Sequence, residues 1–336
     1  MKITIKDVAR TAGVSPSTVS RALHNNPRIS AEVRERIQKV AGEMGFHPNQ
    51  MARSLVSRKT RVIGIVFPGV MGQSLGHPFY PQVLQGLGQA AAQRRYYLLL
   101  GMSEENGCPQ DTIRRLADSG YVSGLVLLAA EDRPEEAGAE MPMVVIGHPR
   151  EEDCPYVDTD NVEAGRQATE YLIRRGHQKI VFLGYDKQYM VTVDRRRGYE
   201  KALESAGLPF RREWVVPSPF LNNAADQELL CALFRQNDPP TGVVCMDDAQ
   251  AIGLTGNLGA IGLTVPGDVS VVSFNNTEAG VYHHPPLTSI DVNPYQLGMA
   301  AMDMILNLVR EQPCPPNQVV PFTLVERESV RDLNQD

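Results

Sequence analysis

The sequence predicts a small all-α head followed by a larger α/β body of two doubly wound lobes. Two observations carry that expectation. Residues 1–60 hold 11 Lys and Arg against 4 Asp and Glu, a balance of +7, while the rest holds 22 against 35, a balance of −13. Apolar positions in the first segment recur at helical spacing, whereas beyond Arg61 short apolar runs alternate with helical stretches. The latter pattern is that of parallel sheets covered on both faces.

Composition narrows the class. At 336 residues the chain has room for roughly two or three domains. Its 42% hydrophobic and 21% charged content is that of a globular protein in water. The five cysteines are scattered without a C-x-x-C spacing, which fits reduced cytosolic thiols better than a disulfide framework or a zinc site. Lys2, Lys6, Asp7 and Arg10 interrupt any apolar start, so no signal peptide is expected. Apolar runs such as Gly124–Ala130 are far below the roughly 18–20 residues that span a bilayer.

The head reads as three short helices. Ile5, Val8, Ala9 and Ala12 share one helical face, and Gly13 follows as a left-handed cap. Ser15 is placed to cap a second helix, with Pro16 at its first position and Val19 and Leu23 inward. Ser30 opens a third, with Val33, Ile37, Val40, Ala41 and Met44 on one face and Gly45 at its end. Two helices joined by a tight glycine turn make a helix-turn-helix, whose second helix enters the DNA major groove. Its outward residues here are Pro16, Ser17, Ser20, Arg21 and His24, beside Ser15 and Thr18. Ser17 can bond a base edge or a phosphate, and Arg21 can pair two-pronged with guanine.

"IKDVARTAGVSPSTVSRAL" followed by "GFHPNQMARSL" resembles the head and hinge of the lactose-repressor (LacI/GalR) family of bacterial transcription regulators. The resemblance implies that Asn49 to about Ser57 becomes a helix when two subunits sit on DNA, and that Leu55 is pushed between base pairs in the minor groove. Elementary physics agrees: an apolar wedge in a basic segment can unstack a base step, while Arg53, Arg58 and Lys59 neutralise phosphates. The alternative is that Leu55 packs against the body.

In the body, the apolar runs are Val62–Pro68, Tyr97–Met102, Gly124–Ala130, Met143–Gly147, Lys179–Gly184, Thr241–Asp247 and Ser270–Asn275. Seven strands with a restart near Asp158–Glu163 imply two similar lobes. Ligands in such sheets bind beyond the carboxyl ends of strands. The residues to inspect are therefore His148, Asp247, Asp248, Asn275 and Asn276, with Asp194 and Arg195 opening a helix after the Lys179–Gly184 strand. Carboxylates, amides and an arginine suit a polyhydroxylated ligand, and Phe79, Tyr80 and Phe220 can supply flat apolar platforms.

The family resemblance carries the effector arginine onto Arg195 in "DRRRGY", the cleft acid or amide onto Asp247, the strand-end acid onto Asn275 and an interface aromatic onto Phe220. Arg196 and Arg197 follow Arg195, which leaves a purely structural basic face open, and Asn275 stands where sugar-binding relatives often carry an aspartate. "HPFY", "VVIGHP", "VDTDNVEAG" and "LTSIDVNPYQLG" look most like the maltose-operon repressors of the family. The resemblance thus implies a periplasmic-binding-protein-like body, a maltose or malto-oligosaccharide effector, and a homodimer on a pseudo-palindromic operator. It also implies a cytoplasmic, nucleoid-associated location. A carbon-catabolite regulator with a phosphoprotein or phosphorylated-sugar corepressor is the alternative within the family. Outside it stand a sugar-binding protein, disfavoured by the basic head, and a sugar-processing enzyme. No cofactor or metal is called for: Gly86-x-Gly88 lacks a third glycine, there is no H-E-x-x-H, and His283-His284 lack a third ligand.

The expected organisation is a DNA-binding head over 1–48, a hinge over 49–60, a first lobe of 61–160 with 290–320, and a second lobe of 161–289 with 321–331. The chain ends at "ESVRDLNQD" without the leucine-heptad tail by which some relatives form tetramers.

Overall fold

A computed structural model describes residues 3–23, 25–46, 60–67, 76–102, 109–128, 141–150, 154–185, 189–217, 228 and 231–335. The chain divides into two compact units, Met1–Thr60 and Arg61–Asp336.

In the first unit α1 spans Ile5–Ala12, α2 Pro16–Leu23 and α3 Ala31–Glu43. Thr4 and Asp7 cap α1 reciprocally, and Gly13, at φ +66°, ends it with its N–H on the Ala9 and Arg10 carbonyls. Ser15 then caps α2, its hydroxyl accepting from the Thr18 N–H at 3.1 Å. Two caps within three residues are what make the turn tight. Val8, Ala9, Ala12, Val19, Ala22, Ile37 and Ala41 form the core. Ala22 occupies the buried place expected of Leu23, which packs on the core's edge.

The second unit holds two sheets of six strands among the described residues. In the first lobe, in chain order, lie β1 Val62–Val66, α4 Phe79–Gln93, β2 Tyr97–Gly101, α5 Pro109–Asp118, β3 Gly124–Leu127, β4 Met143–Ile146 and β5 Tyr156–Asp158. The chain then enters the second lobe with α6 Asn161–Arg174, β6 Ile180–Gly184, α7 Met190–Ser205, β7 Val215–Pro217, β8 Gly242–Cys245, α8 Asp248–Ala260, β9 Ser270–Phe274, α9 Glu278–Tyr282 and β10 Thr288–Asp291. It returns with α10 Pro294–Val309 and β11 Asn317–Val319, and crosses a third time to β12 Thr323–Val325. The first sheet runs β11-β5-β4-β3-β1-β2 and is parallel throughout. The second runs β12-β10-β9-β8-β6-β7 and is parallel except for β10 with β12.

Ile290 and Asp291, expected in the first lobe, are strand residues of the second sheet, since Ile290 pairs with Phe274 and Leu324. The chain crosses only after Asp291, where Asn293 adopts φ +57° and Pro294 starts α10.

Each lobe is closed by one pair of helices in backbone contact. A Cβ on Gly86 of α4 would lie 2.0 Å from the Tyr295 carbonyl of α10, and one on Gly298 2.2 Å from the Val83 carbonyl. In the second lobe a Cβ on Gly165 of α6 would meet the Arg195 carbonyl of α7 at 2.2 Å, and one on Gly198 the Val162 carbonyl at 2.0 Å. Gly86 is thus a packing glycine rather than part of a phosphate loop. The glycine contact between α6 and α7 also seats Arg195 deep at the mouth of the second sheet.

Candidate functional site

The α2 face of the first unit carries the DNA-binding candidates. Ser15, Pro16, Ser17 and Arg21 are exposed and Thr18 is half-buried. The Ser15 hydroxyl also lies 2.8 Å from Ser17 Oγ and 2.9 Å from Thr18 Oγ1. Ser15 is therefore committed to capping, which leaves Ser17 and Arg21 as the outward groups. Gln38 of α3 donates to the Ala22 carbonyl at 3.4 Å and to Asn25 Oδ1 at 3.0 Å, fixing the far end of α2. His24, Asn49, Arg53 and Leu55 lie outside the described residues.

In the second unit the predicted residues His148, Asp194, Arg195 and Asp247 lie where the two lobes meet across a cleft. Arg195 is 5% exposed. Its Nε donates to Asn161 Oδ1 at 2.9 Å, one terminal nitrogen donates to the Met246 carbonyl at 2.6 Å, and its guanidinium lies 3.9 Å over the Phe274 ring. Burial lowers its pKa to about 10, with the Asp158 and Asp247 carboxylates opposing the fall. Asn161 also donates to Asp158 Oδ2 at 2.9 Å, linking Arg195 to the end of β5, from which the chain enters the second lobe. Burial raises the Asp158 pKa to about 6 against the Thr159 amide, Arg195 and Asn161.

Asp247 caps α8, its Oδ1 accepting from the Gln250 N–H at 2.7 Å. Its Oδ2 lies 2.7 Å from His77 Nε2 and also accepts from the Tyr185 hydroxyl. Burial pushes this carboxyl up, but the His77 hydrogen bond and charge and the Tyr185 hydroxyl outweigh it and hold its pKa below the ordinary value. Burial and the Asp247 charge together push the Tyr185 hydroxyl well up. His77 belongs to the first lobe and Asp247 to the second, so this contact spans the cleft. A second one does the same: His148 Nδ1 after β4 lies 2.8 Å from Asp194 Oδ2 on α7. Asp194 sits one turn inside α7 rather than at its opening.

Aromatic rings gather beside His77. Phe79 packs against the cores of both lobes, and Tyr80 meets Phe67, His77 and Phe79 edge-on at 6.2, 5.8 and 5.4 Å between centroids. Asn275 follows β9, buried, with φ +87° and its N–H on the Ile290 carbonyl at 2.8 Å. Phe220 lies outside the described residues.

Asp248 takes no part in the cleft: it turns inward to Ser273, Ser289 and Thr277. Arg196 pairs with Glu200 at 2.7 Å and Arg197 is exposed, so of the three arginines Arg195 alone faces the cleft network. His77, Tyr185, Asn161 and Asp158 were missed from the sequence. Tyr185 directly follows β6, where the strand-end rule points, and His77 stands in the quoted "HPFY". No cluster of three metal-ligating side chains exists among the described residues. "GQSLG", Gly72 to Gly76, has the G-x-S-x-G spacing of a hydrolase elbow, but its Ser74 lies outside the described residues.

Comparison with known proteins agrees with both units. Residues 4–49 match the model of bacterial regulatory proteins of the lacI family, and residues 169–330 that of a periplasmic binding protein-like domain. The chain is 32% identical over 318 residues to the transcriptional regulator MalR of Streptococcus pneumoniae, covering 93% of this chain and 94% of that one. It is 30% identical over 314 residues to the transcriptional repressor CytR of Escherichia coli, covering 92% and 90%. Among solved structures, a CelR–cellobiose complex matches with TM-score 0.72 at 29% identity, covering 97% of this chain and 99% of that one. The Lac repressor dimer bound to operator shares the fold with TM-score 0.82 at 24% identity, covering 98% and 100%. With the capped helix-turn-helix and the two-lobed body, these similarities make the chain a member of the LacI family of DNA-binding transcriptional regulators, not an enzyme.

Proposed function

We propose that this regulator represses carbohydrate-utilisation genes and that a neutral sugar, maltose or a malto-oligosaccharide, binds between the lobes and controls its grip on DNA. The supporting observation is the charge of the cleft. Two carboxylates, Asp194 and Asp247, face it, and the buried cation Arg195 already donates to Asn161 and Met246. Such a site suits hydroxyls, which can donate to carboxylates, and disfavours a phosphate group placed beside them, which like charge repels. Phe79 and Tyr80 offer faces and edges against which a pyranose can pack. The solved CelR relative holds cellobiose, a neutral sugar of this kind.

On the DNA side, Ser17 and Arg21 read base edges, and Asn49, Arg53 and Leu55 form a hinge whose Leu55 wedges the minor groove. Two copies bind a pseudo-palindromic operator in the cytoplasm, where the nucleoid lies. A sugar loosens DNA only by its preference for the non-binding conformation, and about 1–3 kcal/mol of preference corresponds to roughly 5–150-fold in affinity.

The test is a thermal-shift panel on the full chain with maltose, maltotriose, glucose, glucose 6-phosphate, lactose and ribose. A ligand at about 100 times its Kd adds about 2.7 kcal/mol. Stabilisation by malto-oligosaccharides alone is the expected result. Stabilisation by glucose 6-phosphate alone would replace it with a phosphorylated corepressor.

A further inference from the structure

The two histidine–aspartate contacts across the cleft each join one lobe to the other. His77 and His148 come from the first lobe, Asp247 and Asp194 from the second, and the pairs are separated by 170 and 46 residues in sequence. Each contact is at full hydrogen-bond distance, 2.7 and 2.8 Å. The Asp247 carboxylate receives three donors, from His77, Tyr185 and the Gln250 amide, and an ionised carboxyl has about four acceptor sites. A ligand therefore meets Asp247 with most of its capacity already taken.

From this we propose that the two His–Asp pairs latch the lobes together in the ligand-free protein, and that an effector binds by taking their places. The proposal rests on the cleft being the effector site. A hydroxyl group can accept from an imidazole N–H and donate to a carboxylate, so it can enter each pair and preserve both hydrogen bonds. A phosphate dianion accepts from the imidazole but has no proton to give the carboxylate and repels it, so it does not make the exchange. The latch thus selects for a ligand with two hydroxyls spaced to enter both pairs. Phe79, packed against both cores, adds an apolar contact between the lobes.

The experiment needs no ligand. Nitroxides are attached through genetically encoded ketone residues at Gln93 and Glu204, exposed at the ends of α4 and α7, one in each lobe. Labelled full-length protein is diluted with unlabelled protein so that each distance is within one chain, and the distribution is read by double electron–electron resonance. The wild type should give one narrow distribution, and His77→Ala/His148→Ala a shifted, broader one. His77→Phe, which keeps the ring volume, gives the same comparison if the double variant does not fold. Tyr185→Phe, which keeps Asp247's other donors, should broaden the distribution less. Superimposable distributions for wild type and the histidine variants would overturn the latch. Because no sugar is present, a failed sugar panel bears on the effector assignment and leaves this result standing.

Discussion

Arg195 and Arg197 stand two residues apart on one helix, and their surroundings predict opposite outcomes on replacement. Arg195→Ala removes a buried side chain from over Phe274 and strands the Met246 carbonyl and the Asn161 amide oxygen. Such a loss costs about 2–4 kcal/mol of stability. Urea unfolding should show it, together with a lost sugar response. Arg197→Ala, on an exposed position, should stay within about 0.5 kcal/mol and keep the response. Equal effects from both would remove Arg195 from its special place. Asp158 makes a separate prediction, on pH. Its folded pKa of about 6 lies above the ordinary value of 3.8 because of burial. The folded state therefore holds this proton where the unfolded state has released it, so the group withdraws stability as pH rises from about 4 to 6. Asp158→Asn should lack that component. The check is the difference between the two unfolding free energies across this window, which should grow in the variant's favour as pH rises. A constant difference would mean that Asp158 titrates normally.

At the scale of elements, α4 contains its own control. Gly86 and Gly88 are two residues apart, yet a Cβ on Gly86 would strike the Tyr295 carbonyl while one on Gly88 meets nothing within 4 Å. Gly86→Ala should push α4 off α10 and cost about 1–3 kcal/mol. Gly88→Ala should gain about 0.5–1 kcal/mol from helix propensity. Thermal unfolding of both variants decides, and a shared sign would mean that the helices are not in backbone contact. The sequence could show that both residues lie in a helix, because Val83, Leu87, Ala90 and Ala91 recur at its period. It could not show which glycine meets a partner more than 200 residues away. The same limit explains the cleft. Alternating strands and helices were legible because buried parallel strands such as β6 and β9 are continuous apolar runs. Strands of three residues, β5, β7, β11 and β12, carry no period, and β11 is exposed throughout. Arg195 and Asp247 were legible from strand ends and family resemblance. The contact between His77 and Asp247 joins two loops through tertiary packing alone, and no local pattern announces it.

For the whole molecule, the uneven charge makes a prediction that neither unit makes alone. The +7 of residues 1–60 sits in a unit with its own core, and the remaining −13 belongs to the other unit. Polyanions should therefore be held by the head and repelled by the body. Removing residues 1–60 should abolish retention on heparin while leaving the sugar-induced thermal shift intact, because the cleft residues all lie beyond Arg61. In the intact protein, operator affinity should fall linearly with the logarithm of salt, with a slope set by the number of phosphates neutralised. Within that measurement Arg21→Ala separates two roles. If Arg21 pairs with guanine, the variant loses about 1–3 kcal/mol at one half-site position, and preference there relaxes. If it holds a phosphate, affinity drops for every sequence alike and the salt slope shrinks by about one. Ser15, held in its cap by the Thr18 amide, should behave as neither: Ser15→Ala should lower the stability of the head by about 1 kcal/mol and weaken all DNA binding in proportion. A sequence-selective loss from Ser15→Ala would place its hydroxyl on a base instead of on α2.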